Sequence, residues 1–212
     1  MGDMERWRAL GRLAFVWGYP FVRAAQLRHR LTRPRDPDDP GSAAVAAAPV
    51  NEFGHARTLA TPATRVGVAP NNDTLYSLAW LDLTNGPFVV ETPDFKERYY
   101  VFQMGQADSS SGRCWGQRSH GGQLPPLFIS GPGDEQVGPE GMVHVRSNYR
   151  FLMVAARILV DGPADLPNVH RLQAQIRVRP WRAPASSAPN LSNRRWPRES
   201  LRFLPFAVSA AA

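Results

Sequence analysis

The residues best suited to chemistry lie in a loop around His55 and in a polar turn that opens the following strand. A turn rich in amides and charges could bind an anionic or polyol ligand, because loops held by a rigid scaffold often carry binding residues. Arg57 or Arg98 would bind a carboxylate or phosphate through two parallel hydrogen bonds. The ligand-binding candidates are His55, Arg57, Asn71, Asn72, Asp73, Tyr76, Arg98 and Arg118.

The same residues also have a structural interpretation. Asn and Asp side chains hydrogen-bond the local backbone and tolerate left-handed conformations, so Asn71, Asn72 and Asp73 would then only hold a tight turn. His55 and Tyr76 would satisfy buried backbone groups. The binding and the structural interpretation both stay open at this point.

A metal site would need two or three histidines and a carboxylate to converge, as in a facial triad. The five histidines show neither H-x-H nor H-x-x-x-H spacing, so the sequence predicts no metal site and identifies no cofactor. An alternative function is a metal-assisted enzyme or a hydrolase, in which His55 and Asp73 act as base or ligands and Arg118 holds an anion. Residues 109–111 are serines without the G-x-S-x-G pattern, and they are predicted to form a loop.

Composition narrows the classes of partner. The 212-residue chain has a formal net charge of +7, but Lys96 is its only lysine and the arginines are scattered. No nucleic-acid-binding motif accompanies them, so we predict that the chain does not bind nucleic acid. No apolar stretch approaches the roughly 20 residues that cross a bilayer, and we expect a cytoplasmic protein without a membrane span. The single cysteine, Cys114, is predicted to be a packed apolar group.

Hydrophobic spacing predicts helices at both ends of the chain. Apolar residues three and four apart between Leu10 and Leu27 predict an N-terminal helix that docks its apolar face on the core, with a kink or break near Pro20. Residues 149–160 return to helical spacing, and a last helix is predicted to be capped by Asp165.

Short apolar runs separated by Gly, Pro, Asn and Asp begin at Asn51 and are typical of an antiparallel β-sandwich. Residues 84–87 contain Asn-Gly and predict a hairpin that joins two facing strands. The predicted strands cover residues 66–69, 74–83, 88–92, 98–104, 127–130 and 143–146.

We therefore predict a mainly β fold with flanking helices. The predicted architecture is an antiparallel β-sandwich, immunoglobulin-like or jelly-roll-like, with an N-terminal helix and two C-terminal helices. A single domain spans residues 1–180 and includes a flexible segment at 32–50, which is rich in proline. Residues 181–212 form a Pro/Ala/Arg-rich tail that we expect to be poorly ordered.

A set of short motifs gives the chain a family resemblance. Residues 70–77 read PNNDTLYS, and they occur together with WGYP at 17–20, NEFGH at 51–55, WLDL at 80–83 and RYY at 98–100. With these motifs the chain resembles the domain-of-unknown-function 1254 family over roughly residues 15–179.

The resemblance implies a β-sandwich that is normally paired with a second β domain of jelly-roll type, often behind an export signal. This chain has no convincing signal peptide and ends where the companion domain should start. We therefore expect a truncated or separately encoded half, with an apolar face for a companion β domain or a second copy of itself. The favoured function is a small-ligand- or partner-binding module, with a polar or anionic molecule as the small ligand.

Overall fold

The computed structural model of the protein describes residues 2–34, 42–62, 64 and 71–182. The predicted strand at 66–69 and the tail from residue 183 onward lie outside the described residues. The elements given below belong to one compact unit, Met1–Trp181.

Two mostly antiparallel sheets confirm the mainly β, sandwich-like prediction. The first, sheet A, has the order β1-β2-β8-β4-β5 and the second, sheet B, has the order β7-β6-β3-β9, in which only β6 and β7 run parallel. The strands of sheet A are β1 (Phe53–His55), β2 (Thr74–Asp82), β4 (Tyr100–Gly105), β5 (Ser111–Gly116) and β8 (Phe151–Leu159). Those of sheet B are β3 (Phe88–Glu91), β6 (Leu127–Ser130), β7 (Val143–Arg146) and β9 (Arg177–Pro180).

The main core lies between the inner faces of the two sheets. Side chains alternate along a strand, so Leu75, Ala79 and Leu81 of β2 point inward while their neighbours point outward. Tyr100 and Phe102 of β4 join them, together with apolar residues of sheet B. Burying each large apolar side chain stabilises the fold by roughly 1.5–3 kcal/mol, which favours this one register over any slipped one.

The described part of the chain forms three α-helices that flank the sheets. The long α1 (Asp3–Leu31) precedes the sandwich, α2 (Gln117–His120) is one short turn after β5, and α3 (Leu166–Gln173) follows β8. None of the helices formed by the described residues is long and apolar enough to cross a membrane.

The prediction of two C-terminal helices is half wrong, because residues 151–159 form β8, a central strand of sheet A. A strand covered on both faces is apolar on both faces, so its period-2 alternation is weak and resembles helical spacing. The burial pattern of β8 shows this, with both inward and outward side chains buried or half-buried. The last helix exists as α3, although the side chain of Asp165 makes no capping hydrogen bond to it.

The predicted hairpin at residues 84–87 is also wrong. Strand β2 belongs to sheet A and β3 to sheet B, so the turn carries the chain from one sheet to the other. Leu83–Asn85 form a 3-10 turn in which Asp82 Oδ1 accepts hydrogen bonds from the backbone N and the hydroxyl of Thr84, at 3.1 and 2.5 Å. The Asn-Gly pair indicated a turn correctly, but the two strands that the turn joins do not pair with each other.

Only the C-terminal part of α1 docks on the sandwich. Leu31 is buried and Leu27 half-buried against Trp80, whereas Leu13 and Trp17 are 67% and 66% exposed. A 29-residue helix is about 44 Å long, while the nine-residue strands it crosses span only about 30 Å, so the sheet cannot cover the whole helix. The helix runs through Pro20 without a break.

Two smaller expectations also differ from the structure. Within the segment 32–50, which was predicted to be flexible, Val45 and Ala46 are buried and the Ala48 amide donates to Leu31 O at 3.2 Å. Cys114 is exposed rather than packed, because it lies in β5, the edge strand of sheet A. Ser111 begins this strand, so the predicted serine loop ends one residue earlier.

Candidate functional site

His55 lies on the inner side of sheet A, where β1 pairs with β2 and places it opposite Ser77. Its Nδ1 is 2.8 Å from Ser77 Oγ. Burial, together with the positive charge of Arg57, lowers the pKa of His55 to about 4. The imidazole is therefore neutral at pH 7. Ser77 is 0% exposed, so this Ser-His pair is closed to a substrate.

Gln173 of α3 forms hydrogen bonds with the residues around this Ser-His pair. Its Nε2 lies 3.1 Å from Ala56 O, 3.2 Å from Tyr76 O and 3.3 Å from Ser77 Oγ, and its Oε1 accepts from Arg57 Nη1 at 3.3 Å. The side chain is completely buried. These contacts tie α3 to the edge of sheet A, and sequence reasoning missed Gln173 because nothing in its spacing separates it from a surface glutamine.

The polar turn before β2 is held by one asparagine. Asn71 Oδ1 accepts from the backbone N of Asp73 at 2.8 Å and of Thr74 at 3.3 Å, which is an Asx-type turn. Asn72 and Asp73 are exposed. This geometry agrees with the structural interpretation of the turn.

Arg98 is committed to an ion pair. Its Nη1 and Nη2 donate to Asp165 Oδ2 and Oδ1 at 2.5 and 2.9 Å, and Nη1 also donates to Leu159 O at 2.7 Å. These hydrogen bonds, with others from the Asp161 amide and Asn168, hold the pKa of Asp165 well below its ordinary value. The carboxylate of Asp165 therefore binds Arg98, the Asp161 amide and the Asn168 side chain, but it accepts from no backbone amide at the start of α3.

The eight candidates thus do not form one site. His55 and Arg57 belong to the Gln173 cluster, Arg98 pairs with Asp165, and Arg118 is exposed on α2. Asp73 precedes β2, four residues from the Ser77 that pairs with His55, which puts roughly 13 Å between their backbones. Among the described residues no three His, Cys, Asp or Glu side chains are placed to hold a metal ion.

Of the remaining three candidates, Asn72 is exposed, whereas Asn71 and Tyr76 line a cavity of about 560 Å³ on the outer face of sheet A. This outer-face cavity has strands β2, β8, β4 and β5 as its floor. The C-terminal half of α1 and residues 44–46 form its other wall. Its volume is within the usual range for small-molecule sites.

Three cross-strand rows build the floor. Tyr76 pairs with Arg157, Leu78 with Ala155, and Trp80 with Met153. Because partners in an antiparallel pair point to the same face, the first row is cationic and aromatic and the other two are apolar. Ala155 in the middle row also pairs with Gln103 of β4. Because its side chain is a single methyl group, the cavity is deep at this point.

Three polar atoms in the side chains that line this cavity are buried and have no hydrogen-bond partner among the described residues. They are Thr74 Oγ1, Trp80 Nε1 and Arg157 Nε, and the residues Thr74 and Trp80 are only 5% and 4% exposed. Unpaired buried polar atoms are costly, and each needs an explanation such as a bound molecule. Arg157 stacks over the Tyr76 ring, with its guanidinium carbon 5.1 Å from the ring centroid.

The charge of the lining has one sign. Among the described residues that line the cavity, the charged side chains are Arg23, Arg30 and Arg157, and no aspartate or glutamate is present. Arg157 also makes no ion pair with any described residue, in contrast with Arg98, Arg150 and Arg179. The cavity is therefore electrostatically suited to an anion.

Sequence reasoning missed most of this site. Arg157, Ala155 and Met153 fell in the predicted helix, so their common face was lost. The alternation of Thr74, Tyr76, Leu78 and Trp80 along β2 was the available signal, since residues two apart share one face of a strand.

Comparisons with known proteins identify a family and a fold. A search of curated proteins finds no match. Among solved structures, the VPA0106 protein from Vibrio parahaemolyticus is 19% identical with a TM-score of 0.60, over 87% of this chain and 41% of that protein. An uncharacterized protein from Burkholderia cenocepacia is 14% identical with a TM-score of 0.41, over 86% of this chain and 53% of that one. The chain thus spans less than half the length of the Vibrio protein.

The family comparison agrees with the motifs at residues 51–55, 70–77 and 80–83. The model of the family described as "Protein of unknown function (DUF1254)" matches residues 50–180, which is more than half of the chain. The protein therefore belongs to the DUF1254 family.

Proposed function

We propose that this chain is a small-ligand-binding module and that the outer-face cavity is its binding site. The observation that carries the proposal is that the side chains of Thr74, Trp80 and Arg157, each with a buried polar atom lacking a partner, all line this one cavity. A small shift of the lining side chains on binding would let ligand acceptors reach the Trp80 and Arg157 donors, and the Thr74 hydroxyl can donate or accept.

The backbone of the β4–β5 turn supports the same proposal. Ser109 lines the cavity and has a φ of 65°, a left-handed conformation that costs energy for a residue other than glycine. Asp108 holds this turn by accepting from the Ser110 amide at 2.9 Å and from its hydroxyl at 2.6 Å. The turn thus presents Ser109 at the rim in one fixed geometry.

A cavity-filling substitution tests the proposal. Ala155→Phe puts a ring in the middle of the floor, whereas Ala174→Phe makes the same chemical change at an exposed position at the end of α3. N-phenyl-1-naphthylamine, a neutral fluorescent probe, should bind the wild-type chain saturably in a one-to-one complex. We expect Ala155→Phe to abolish this binding and Ala174→Phe to leave it unchanged. Equal binding by all three proteins would place the probe elsewhere and contradict the proposal.

We also propose that the exposed part of α1 docks against a companion β domain. Trp7, Leu10, Leu13 and Trp17 are large, apolar and exposed, and they lie along the helix before the part that packs on sheet A. Exposed apolar patches of this kind mark interaction sites. More than half of the Vibrio protein lies outside the region that this chain matches. A companion domain that corresponds to that part would bury the exposed apolar side chains of α1.

Light scattering coupled to size-exclusion chromatography distinguishes this partner from a second copy of the chain. We expect a monomer at low concentration, with association at high concentration that Trp17→Glu relieves, because the face lacks its own partner. A stable dimer that Trp17→Glu dissociates would assign the face to a second copy and overturn the companion-domain proposal.

A further inference from the structure

We infer that the outer-face cavity selects an amphipathic monoanion, which has a carboxylate or similar oxyanion at one end and an apolar body at the other. This inference rests on the proposed function and specifies its ligand. It depends on how polarity is distributed along the floor of the cavity.

The anionic group is expected at the Arg157 end. The half-buried Arg157 has no carboxylate partner among the described residues, and its Nε is buried without a hydrogen-bond partner there, so pairing with an anion would be favourable. The guanidinium lies over the Tyr76 ring, and this contact restrains its position on the floor. An oxyanion could then accept hydrogen bonds from two nitrogen atoms of this guanidinium, as carboxylates do from arginine.

The apolar body is expected on the rows beyond Arg157. Leu78, Ala155 and Met153 form this part of the floor. Leu27 and Leu31 of α1 and Val45 pack with this end of the floor in one apolar cluster, and they also line the cavity. Met153 is four residues from Arg157 on the same strand, which gives the body a length of roughly 13 Å. A small polar ion such as acetate would leave this apolar length uncovered.

A second polar contact is available at the apolar end. Trp80 belongs to the third row, and its Nε1 is a buried donor without a partner. Indole nitrogen only donates, so a ligand oxygen near this end would add affinity without adding charge. The two other lining cations, Arg23 and Arg30, are exposed on α1 and contribute to the positive potential at the entrance.

Isothermal titration with matched ligands tests this inference. The probes are sodium octanoate, 1-octanol and sodium acetate, at neutral pH and constant ionic strength. We expect octanoate to bind roughly tenfold or more tightly than 1-octanol, because only octanoate makes charge-assisted hydrogen bonds, and acetate to show no measurable binding. Adding 2-naphthoate compares an aryl body with an alkyl body, and the tighter of the two acids identifies which kind the cavity fits.

Substitution of Arg157 locates the anionic group. Arg157→Gln should reduce octanoate affinity to that of 1-octanol and leave 1-octanol binding unchanged. Arg177→Gln is the matched control, because Arg177 is exposed on β9 in sheet B and should change neither affinity. If Arg157→Gln does not fold, wild-type binding at increasing salt still tests the inference, since octanoate affinity should fall while 1-octanol affinity stays constant.

The outcomes separate the ligand class from the function. If octanoate and 1-octanol bind equally and Ala155→Phe blocks both, the anion selectivity is overturned and the binding site stands. If neither ligand binds and N-phenyl-1-naphthylamine also fails to bind, the ligand class and the proposed function are both overturned.

Discussion

The Arg98–Asp165 pair offers a quantitative test of whether Arg98 is structural. The two side chains are 22% and 10% exposed, and they form two parallel hydrogen bonds. Removing one member of a fully buried pair costs roughly 3–5 kcal/mol, whereas an exposed pair contributes about 0–1 kcal/mol. This pair is nearer the buried case, so we expect Arg98→Gln to lower the free energy of unfolding by about 2–3 kcal/mol.

A double-mutant cycle measures the interaction itself. Urea unfolding at pH 7, followed by circular dichroism, would give the free energies of the wild type, Arg98→Gln, Asp165→Asn and the double variant. We expect a coupling energy of about 1.5–2.5 kcal/mol, because the residues contact each other directly. A coupling below about 0.5 kcal/mol, with ligand binding lost in Arg98→Gln, would refute the structural role and restore Arg98 as a ligand-binding residue.

The pH dependence of the free energy of unfolding gives a second test of the Arg98–Asp165 pair. The pKa of Asp165 is lowered in the folded state by the hydrogen bonds from Arg98, while the unfolded state keeps the ordinary value near 3.8. The stabilisation is therefore complete above that ordinary value and is lost as pH falls through the lowered pKa. Arg98→Gln should lose less stability than the wild type over this acidic range.

Two further predictions concern the His55–Gln173 cluster. The pKa of His55 is about 4 in the folded state and 6.5 in the unfolded state, so the unfolded state takes up the proton first as pH falls. The free energy of unfolding of the wild type should therefore fall between pH 6.5 and 4. We expect a fall of about 1–2 kcal/mol, because partial exposure of His55 reduces the effect. His55→Gln should show a smaller fall in urea unfolding across this range, and an identical fall would contradict the lowered pKa. Gln173→Leu leaves Ala56 O and Arg57 without their partner, and we expect a loss of about 2–3 kcal/mol in thermal or urea unfolding. Gln175→Leu at an exposed position of the same segment should change stability by less than about 0.5 kcal/mol, and equal losses would contradict the bridging role of Gln173.

The sequence predicted the β class and several strands well, because turn residues such as Gly, Pro and Asn bound short apolar runs whether or not those runs alternate. The strands at 127–130 and 143–146 were predicted with the bounds that the structure shows. The prediction was wrong at β8, which was assigned to a helix. The outer face of this strand forms part of the floor of the cavity and is therefore apolar as well. The property that makes this strand part of a binding site also disguised it as a helix.

The pairing of the strands could not be predicted from local signals. The turn after β2 has hairpin chemistry, yet the β2 strand pairs with β1 and with β8, which begins more than 60 residues later. Long-range pairing depends on the apolar surface that the whole sandwich buries, and no short motif encodes it. The candidate site could not be predicted for the same reason, because Arg157 and Tyr76 become neighbours only through the pairing of β2 with β8.

The conspicuous polar residues were poor guides to the cavity for a related reason. His55, Arg98 and Asn71 were chosen because charged and amide side chains in loops and turns can bind a ligand, but each is satisfied by a protein partner. In the described lining of the cavity, the unsatisfied groups belong to Trp80, Thr74 and Arg157, whose hydrogen-bonding state depends on tertiary packing.

Nuclear magnetic resonance of the tryptophan indoles tests directly whether a ligand occupies the outer-face cavity. The chain has six tryptophans, and the Trp80→Phe variant would assign the Nε1–H signal of Trp80 in a nitrogen-15 correlation spectrum. Titration with sodium octanoate should shift the Trp80 signal saturably and leave the signals of Trp7 and Trp17 on α1 unchanged. An unmoved Trp80 signal, while octanoate binds by calorimetry, would contradict the account that the outer-face cavity is the binding site.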